Sequence, residues 1–343
     1  MTSSFDATEL VRRLRGEGLR ADENRPLGAL TTYGVGGEAR CAVQVDSDED
    51  ARRVARVLSD AGPIEVLVVG RGSNLLVADD GFDGVAILSS VAASADDDII
   101  VAGHRLTAPG RLPMPVLARR AAARGCGGLE WAVGIPGSVG GAVRMNAGGH
   151  GSDMEASLLS VTLLSLRSGR EVEVDAGALG LHFRGSVLAS THMVLAARFR
   201  CDPVEPGVAA DGLAAIVAWR RENQPGGRNA GSVFVNPGTG EMSAGALVDS
   251  CGLRGLRVGG AEVSAKHANF ILASDAATAA DIVGLMETVQ DEVHRAHGVL
   301  LRSEVRLVGF DADIVDRFGD PRHRSGDLAV AADTLRVTMG EGG

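Results

Sequence analysis

A serine hydroxyl can move a proton or close a turn, and "RNAGSVFVNP" (228–237) leaves both open for Ser232. It stands between a glycine and a short β-branched and aromatic run, with no histidine nearby along the chain. Taken alone, such a hydroxyl is more often a turn or capping group. Glu304 in "LLRSEVRLVGF" is a carboxylate entering a strand of valine, leucine and arginine, and reads equally well as a surface ion pair, which is worth little. Arg184 in "HFRGS" reads as a surface cation. Hydrophobic periodicity singles out none of the three.

Other residues offer chemistry that their spacing restricts. Lys266 is the only lysine in the chain. Either genomic composition favours arginine throughout, or this position needs a compact ammonium rather than a planar guanidinium. His294 and His297 in "HRAH" sit at i, i+3 on an expected helix. A zinc site needs more ligands than these, and histidine near a helix C-terminus is favoured by the dipole alone, so no metal is expected. Cys41, Cys126, Cys201 and Cys251 lack Cys-x-x-Cys spacing and read as reduced, buried thiols.

The glycines are more telling, at 47 of 343 residues. That is about twice ordinary usage, so many positions need positive φ or a backbone bare enough to touch a ligand. "GVGGEA" (34–39) fits a relaxed dinucleotide fingerprint, but a strand-like "RCAVQV" follows where a helix N-terminus would have to hold pyrophosphate. "GRGSNL" (70–75) fails in the same way. A phosphate-binding loop of the Walker type is excluded because Ala265 precedes the sole lysine, and "PGSVG" has Pro136 where a hydrolase elbow needs glycine. "GRGSN" is left with two readings: a plain tight turn, or a nest of backbone N–H groups around an anion, with Ser73 and Asn74 adding donors.

These residues need elements to position them. "DSDEDARRVARVLSDAG" (46–62) reads as a helix with acidic residues leading, Ala51, Val54, Ala55 and Leu58 on one face, and Gly62 as its stop. "IEVLVVG" reads as a buried strand, with a second helix near 115–124. The stretch 125–151 has 10 glycines in 27 positions, which predicts loop-rich backbone wrapped close to something. Strands with turns run from 157 to 201, and "CDPVEPG" (201–207) reads as a linker. Helices follow near 211–223 and 279–297, the latter with Ile282, Leu285, Met286, Val289 and Val293 on one stripe and Gly298 closing it. "SEVRLVGF" reads as a strand, and 311–343 as weakly patterned and loosely attached.

The totals narrow the class. The length allows two domains or slightly more, at roughly 150 residues each. A net charge of −10 argues against nucleic-acid or anionic-membrane partners, which want a basic face. The N-terminus lacks the apolar core of a secretory signal, and no run of about 18 apolar residues could span a membrane. A cytoplasmic, soluble protein is expected.

Seven segments then occur in a familiar order: "TTYGVGGEA", "GRGSNLLVADDGFDG", "GLEWAVGIPGSVGGAVRMNAGGHG", "FRGS", "NAGSVFVNP", "VGGAEVSAKHANF" and "SEVRLVG". Over residues 25–310 the chain resembles the UDP-N-acetylenolpyruvoylglucosamine reductase family, in its compact subtype. The resemblance implies an α+β fold with a two-lobed FAD-binding domain of the vanillyl-alcohol-oxidase (PCMH) type and a smaller α/β substrate-binding domain. It divides the chain into an N-terminal arm (1–24), the FAD domain (25–202), the substrate domain (203–310) and a tail (311–343). A monomer is expected.

For the cofactor the resemblance implies contacts from Tyr33, from Gly70, Gly72, Ser73 and Asn74 around the FAD pyrophosphate, and from Leu75. It implies further contacts from Gly134, Ile135, Pro136, Gly137 and Ser138, and from Gly140, Gly141, Asn146, Ala147 and Gly148 along flavin and ribityl. NADPH would reduce FAD and leave, and UDP-N-acetylenolpyruvoylglucosamine would take its place, yielding UDP-N-acetylmuramate for peptidoglycan. Hydride delivered to the end of the enolpyruvyl double bond pushes charge into the adjacent carboxylate. Arg184 would stabilise that charge, a protonated Glu304 would hydrogen-bond to the same region, and Ser232 would protonate the carbon. Asn236, Arg228 and Lys266 are the implied substrate-binding residues, with Arg221 a further source of charge for the diphosphate. Two positions depart from the family's habit: Phe183 stands where tyrosine is frequent, and Val235 where lysine is frequent. Two rivals remain, an oxidase on the same fold with flavin tethered through His104 or Cys126, and a silent flavin- or nucleotide-sugar-binding protein.

Overall fold

The computed structural model describes residues 5–89, 99–238 and 242–319. Chain order begins with α1 (Ala7–Gly16), β1 (Arg20–Pro26), β2 (Glu38–Val45), α2 (Asp48–Ser59), β3 (Val66–Val69), β4 (Leu75–Val77) and β5 (Phe82–Ser89). Strands β1, β2, β5 and β3 form one sheet in that order, parallel except for β1. Helix α2 forms as its sequence dictates. Ser47 caps it in a reciprocal box with Asp50, and Ala51, Val54, Ala55, Val57 and Leu58 are buried along one face.

The middle of the chain runs β6 (Ile100–Ala102), β7 (Arg105–Pro109), α3 (Met114–Ala123), β8 (Cys126–Gly127), α4 (Val139–Arg144), β9 (Gly148–Gly149), β10 (Ser152–Asp153) and α5 (Met154–Ser157). It continues through β11 (Leu158–Ser165), β12 (Glu171–Asp175), β13 (His192–Arg200) and β14 (Asp202–Pro203). A second, antiparallel sheet has the order β12-β11-β13-β7-β6. Its residues Leu164, Leu166, Met193 and Leu195 join the core of α1, α2 and the first sheet, so the two lobes share buried surface.

The last part comprises α6 (Pro206–Asn223), α7 (Ala244–Ser250), β15 (Arg257–Val258), β16 (Ala261–Val263), β17 (Ile271–Ala273), α8 (Ala279–His297), β18 (Arg306–Val308) and α9 (Ala312–Phe318). Helix α8 has a Thr278–Asp281 capping box and ends on Gly298 at φ 69°, a left-handed conformation that suits glycine. Its expected stripe is buried, and the helix packs on β15 and β16. Strand β18 leaves this region and pairs in parallel with β4, Arg306 opposite Leu75. That return carries the residues just before it to the loop that precedes β4.

Three expectations need correction, while the stretch 125–151 is loop-rich as expected and adds one short helix. Ser138 accepts a hydrogen bond from the Gly141 N–H and caps the six-residue α4, whose Val139, Ala142 and Val143 are buried. The 201–207 segment is no free linker, because β14 pairs with β8 and α6 packs Leu213 and Ile216 on the second lobe's core. That pairing brings Cys126 and Cys201, 75 residues apart in sequence, to a Cα separation of 5.1 Å, and they form a disulfide instead of reduced thiols. Cys41 and Cys251 are free. Finally, residues 311–319 are firmly docked through α9, with Phe318 buried, while 320–343 lie outside the described residues. Among the described residues, no helix is long and apolar enough to cross a membrane.

Candidate active site

A cavity of about 780 Å³ opens at the seam of the lobes and the last part of the chain. Two loops form its floor. One follows β3 and holds Gly70–Asn74; the other precedes α4 and holds Gly134–Ser138. They touch so closely that a Cβ on Gly70 would lie 2.2 Å from the Ser138 hydroxyl, and one on Gly137 3.3 Å from that of Ser73. Gly72, at φ 59°, lies against the 30–31 backbone, where a Cβ would meet the Leu30 carbonyl at 2.4 Å. Only glycine allows this approach.

Arg184 enters from a tight turn in which His182 and Gly185 exchange backbone hydrogen bonds. Its φ of 59° is left-handed for a non-glycine residue, a conformation held by what the side chain reaches. The guanidinium donates from Nε to Glu304 Oε1 at 2.7 Å and from Nη2 to the Gly148 carbonyl at 3.2 Å, over the Phe183 ring. Glu304 is fixed by its backbone. Its N–H donates to the Val233 carbonyl at 2.7 Å, and its carbonyl accepts from Asn74 Nδ2 at 3.0 Å. Burial pushes its carboxyl above the usual range, and the Arg184 guanidinium beside it opposes that shift without cancelling it.

Ser232 faces the same cavity. The preceding turn is set by Gly231 at φ 80° and by Asn229 Oδ1, which accepts from the Gly231 N–H at 3.0 Å. The following residues are clamped by buried Asn269, whose Oδ1 accepts from Phe234 N–H at 2.9 Å and whose Nδ2 donates to the Phe234 carbonyl at 2.9 Å. Thus Arg184, Ser232 and Glu304, from three distant stretches, line one cavity.

The lining is cationic although the chain is acidic. It holds Arg71, Arg144, Arg184, Arg220 and Arg306 against a single carboxylate, Glu304. Burial pushes the Arg144 guanidinium down to about 10, and Arg306 beside it adds to the effect; burial lowers Arg306 as well. Two cations held near each other out of water suit an anionic ligand. Sequence reasoning passed over Arg71, Arg144, Arg220, Arg306 and Asn269. All but Arg220 lie inside the quoted motifs, which were the available signal.

The implied cofactor contacts divide into two groups. Gly70, Gly72, Ser73, Asn74 and Leu75 line the cavity, as do Gly134, Ile135, Pro136, Gly137, Ser138, Gly141, Ala147 and Gly148. Tyr33, Gly140 and Asn146 are placed behind the lining. Tyr33 is fully buried with the core under α8, its phenol pushed up by desolvation and opposed by the Ala230 backbone. A Cβ on Gly140 would meet the Gly110 carbonyl at 3.2 Å, so this glycine lets α4 pack. Asn146, at φ 40°, bridges the His182 carbonyl and the Glu155 N–H. The implied substrate residues are not gathered here. Arg228 pairs with Asp275 at 2.9 Å, Lys266 Nζ donates to the Arg221 carbonyl at 2.7 Å, and Asn236 accepts from the Ala244 N–H. His104 and Cys126, the tether candidates, do not line the cavity either.

These features fit a flavin dinucleotide. The volume lies within the range of roughly 300–1,000 Å³ common for cofactor sites. Bare glycine backbone faces the cavity, arginines match a pyrophosphate, and the buried Thr32 hydroxyl has no hydrogen-bond partner among the described residues. A family model described as an FAD binding domain matches residues 39–175. A second, described as the C-terminal domain of UDP-N-acetylenolpyruvoylglucosamine reductase, matches residues 223–308. The UDP-N-acetylenolpyruvoylglucosamine reductase of Parasynechococcus marenigrum is 40% identical over 300 residues, covering 84% of this chain and 95% of its own length. The chain belongs to this reductase family.

The reductase of Gloeobacter violaceus is also 40% identical, over 82% of this chain and 94% of its own. The crystal structure of UDP-N-acetylenolpyruvylglucosamine reductase from Thermus caldophilus superposes with a TM-score of 0.71 at 32% identity, covering 84% of this chain and 99% of that one. The α+β class expected from the motifs is therefore the observed one, and this reductase-family chain is an FAD-dependent oxidoreductase.

Proposed function

We propose that this protein reduces the enolpyruvyl group of UDP-N-acetylenolpyruvoylglucosamine to UDP-N-acetylmuramate at the expense of NADPH, serving peptidoglycan synthesis in the cytoplasm. The observation that carries the reading is the meeting of Arg184, Ser232 and Glu304 in one glycine-floored, arginine-rich cavity. The FAD domain is taken to span 25–202 and the substrate domain 203–310. Bound FAD would supply the redox chemistry, accepting hydride from NADPH and passing it to the terminal carbon of the substrate's double bond.

The protein's own groups do the rest. Arg184 meets the negative charge that builds on the substrate carboxylate, already oriented by Glu304 and the Gly148 carbonyl. Glu304, its carboxyl raised by burial, would in its protonated form hydrogen-bond to the same charge. Ser232 Oγ–H gives its proton to the carbon next to that carboxylate and is reprotonated from solvent. An alcohol is a weak acid in water, but contact with a basic carbon in a closed site makes the transfer effective. Arg228 and Lys266 are engaged elsewhere, so the diphosphate charge falls to other arginines near Arg184 and Glu304. The test is oxidation of NADPH by the purified yellow protein. It should require the enolpyruvyl sugar nucleotide and give one product per NADPH; consumption independent of that substrate would contradict the reading.

A further inference from the structure

We propose that α9 is a working wall of the active site: Val315 sets what fits beside the Arg184–Glu304 pair, while Phe318 anchors the helix and Arg317 latches it in place. A second chamber of about 430 Å³ shares Met145, Arg184, Glu304, Arg306 and Leu307 with the main cavity. Its far side is made by Val315–Gly319. This wall lies beyond residue 308, where the match to the C-terminal family model ends. The inference rests on the proposed function for the identity of the molecule that enters.

The docking is built, not incidental. Phe318 is 1% exposed, and its carbonyl accepts from the Ser303 N–H at 3.0 Å. Arg317 donates from Nε to Gln290 Oε1 at 2.8 Å and from Nη2 to Asp291 Oδ1 at 2.6 Å, both on α8. Gln290 is itself 1% exposed and donates to the Leu301 carbonyl at 2.7 Å. One network thus ties α9 to α8 and to residues 301–303, immediately before Glu304. Glu304 is joined through its N–H to Val233, the neighbour of Ser232. Movement of α9 is transmitted to both groups by a series of short bonds.

The lining says what the chamber takes. Phe183, Val235, Leu300 and Val315 offer apolar surface, and Arg184, Arg302 and Arg306, apart from the latched Arg317, outnumber two carboxylates (Glu304 and Asp316). An anion with an apolar face, such as the nucleoside diphosphate end of a sugar nucleotide, matches that mixture.

The experiment uses the full-length holoenzyme with its flavin reduced by dithionite, mixed anaerobically with the enolpyruvyl sugar nucleotide. Val315→Trp fills the chamber without touching the latch. It should raise the half-saturating concentration about tenfold while the limiting rate of flavin reoxidation stays within about threefold. Arg317→Ala should instead slow the limiting rate by about tenfold, since it loosens the support of Glu304, and Arg317→Lys should recover part of the loss. Failure of the parent enzyme to be reoxidised would refute the proposed function and not this inference. A parent that reacts, together with a Val315→Trp variant of unchanged half-saturation, overturns the role of α9, even where Arg317→Ala fails to fold.

Discussion

Arg184 shows what the fold concedes for one guanidinium. A left-handed backbone at a non-glycine position costs about 1–3 kcal/mol. The concession aims the side chain at Glu304 and the cavity. Arg184→Gly should therefore relieve the backbone yet slow flavin reoxidation by substrate about 10²–10³-fold, the usual loss for a charge-stabilising donor; rapid-mixing absorbance checks it. Glu304 adds a pH dependence with a defined sign. Because burial raises its folded pKa, the protonated form holds below that value, and reoxidation should slow as pH climbs through it. The native state binds this proton more tightly than the unfolded chain. Its contribution to stability is accordingly complete below the unfolded value of about 4.3 and is lost as pH rises through the folded one. A pH–rate profile of Glu304→Gln should lack that limb. None of Arg184, Ser232 and Glu304 announces itself by spacing. They were legible only through the order of the family motifs, and Arg144 and Arg306 were missed inside those motifs because a sequence does not distinguish a buried arginine from a surface one.

Elements were legible where local rules were strong. Helices α2 and α8 have capping boxes, continuous apolar stripes and clear stops, and their positions follow from these. Helix α4 has two glycines in six residues and exists because Ser138 caps it and its apolar side packs on the second sheet, a tertiary cause. Helix α9 was invisible for a related reason: one buried phenylalanine and one arginine network anchor it, and neither is a periodic signal. The joint between the first lobe and α8 is equally non-local. Asp79 accepts from the N–H groups of both Ala279 and Ala280 at 2.9 Å, capping α8 from across the seam. Asp79→Ala should cost about 1–2 kcal/mol, typical of a lost cap at a helix N-terminus, read as a lower urea midpoint. Gly72→Ala should be worse for the cofactor than for the fold, because its Cβ drives the loop off the 30–31 backbone. FAD should be lost on dialysis from that variant and retained by the parent.

At the scale of the whole molecule, an acidic chain of net charge −10 places five arginines around one cavity. Composition argued against nucleic acid as a partner but could not reveal where the cations gather, which for Arg306 depends on the return of β18 to β4. Since the cavity lies where the lobes and the last part of the chain meet, FAD should act as a bridge between them. Free FAD at about 100 times its dissociation constant should stabilise the fold by about 2.7 kcal/mol, measured as a higher melting temperature of reloaded over stripped protein. The claim joining the three scales is that this assembly delivers a proton from Ser232 to the carbon left negative by hydride transfer. Rapid mixing of the NADPH-reduced holoenzyme with the enolpyruvyl sugar nucleotide, in parent and Ser232→Ala, tests it most directly. NADPH should bleach both flavins at similar rates, and substrate should then reoxidise the variant about 10²–10⁴-fold more slowly than the parent. Reoxidation of the variant at the parental rate would contradict it.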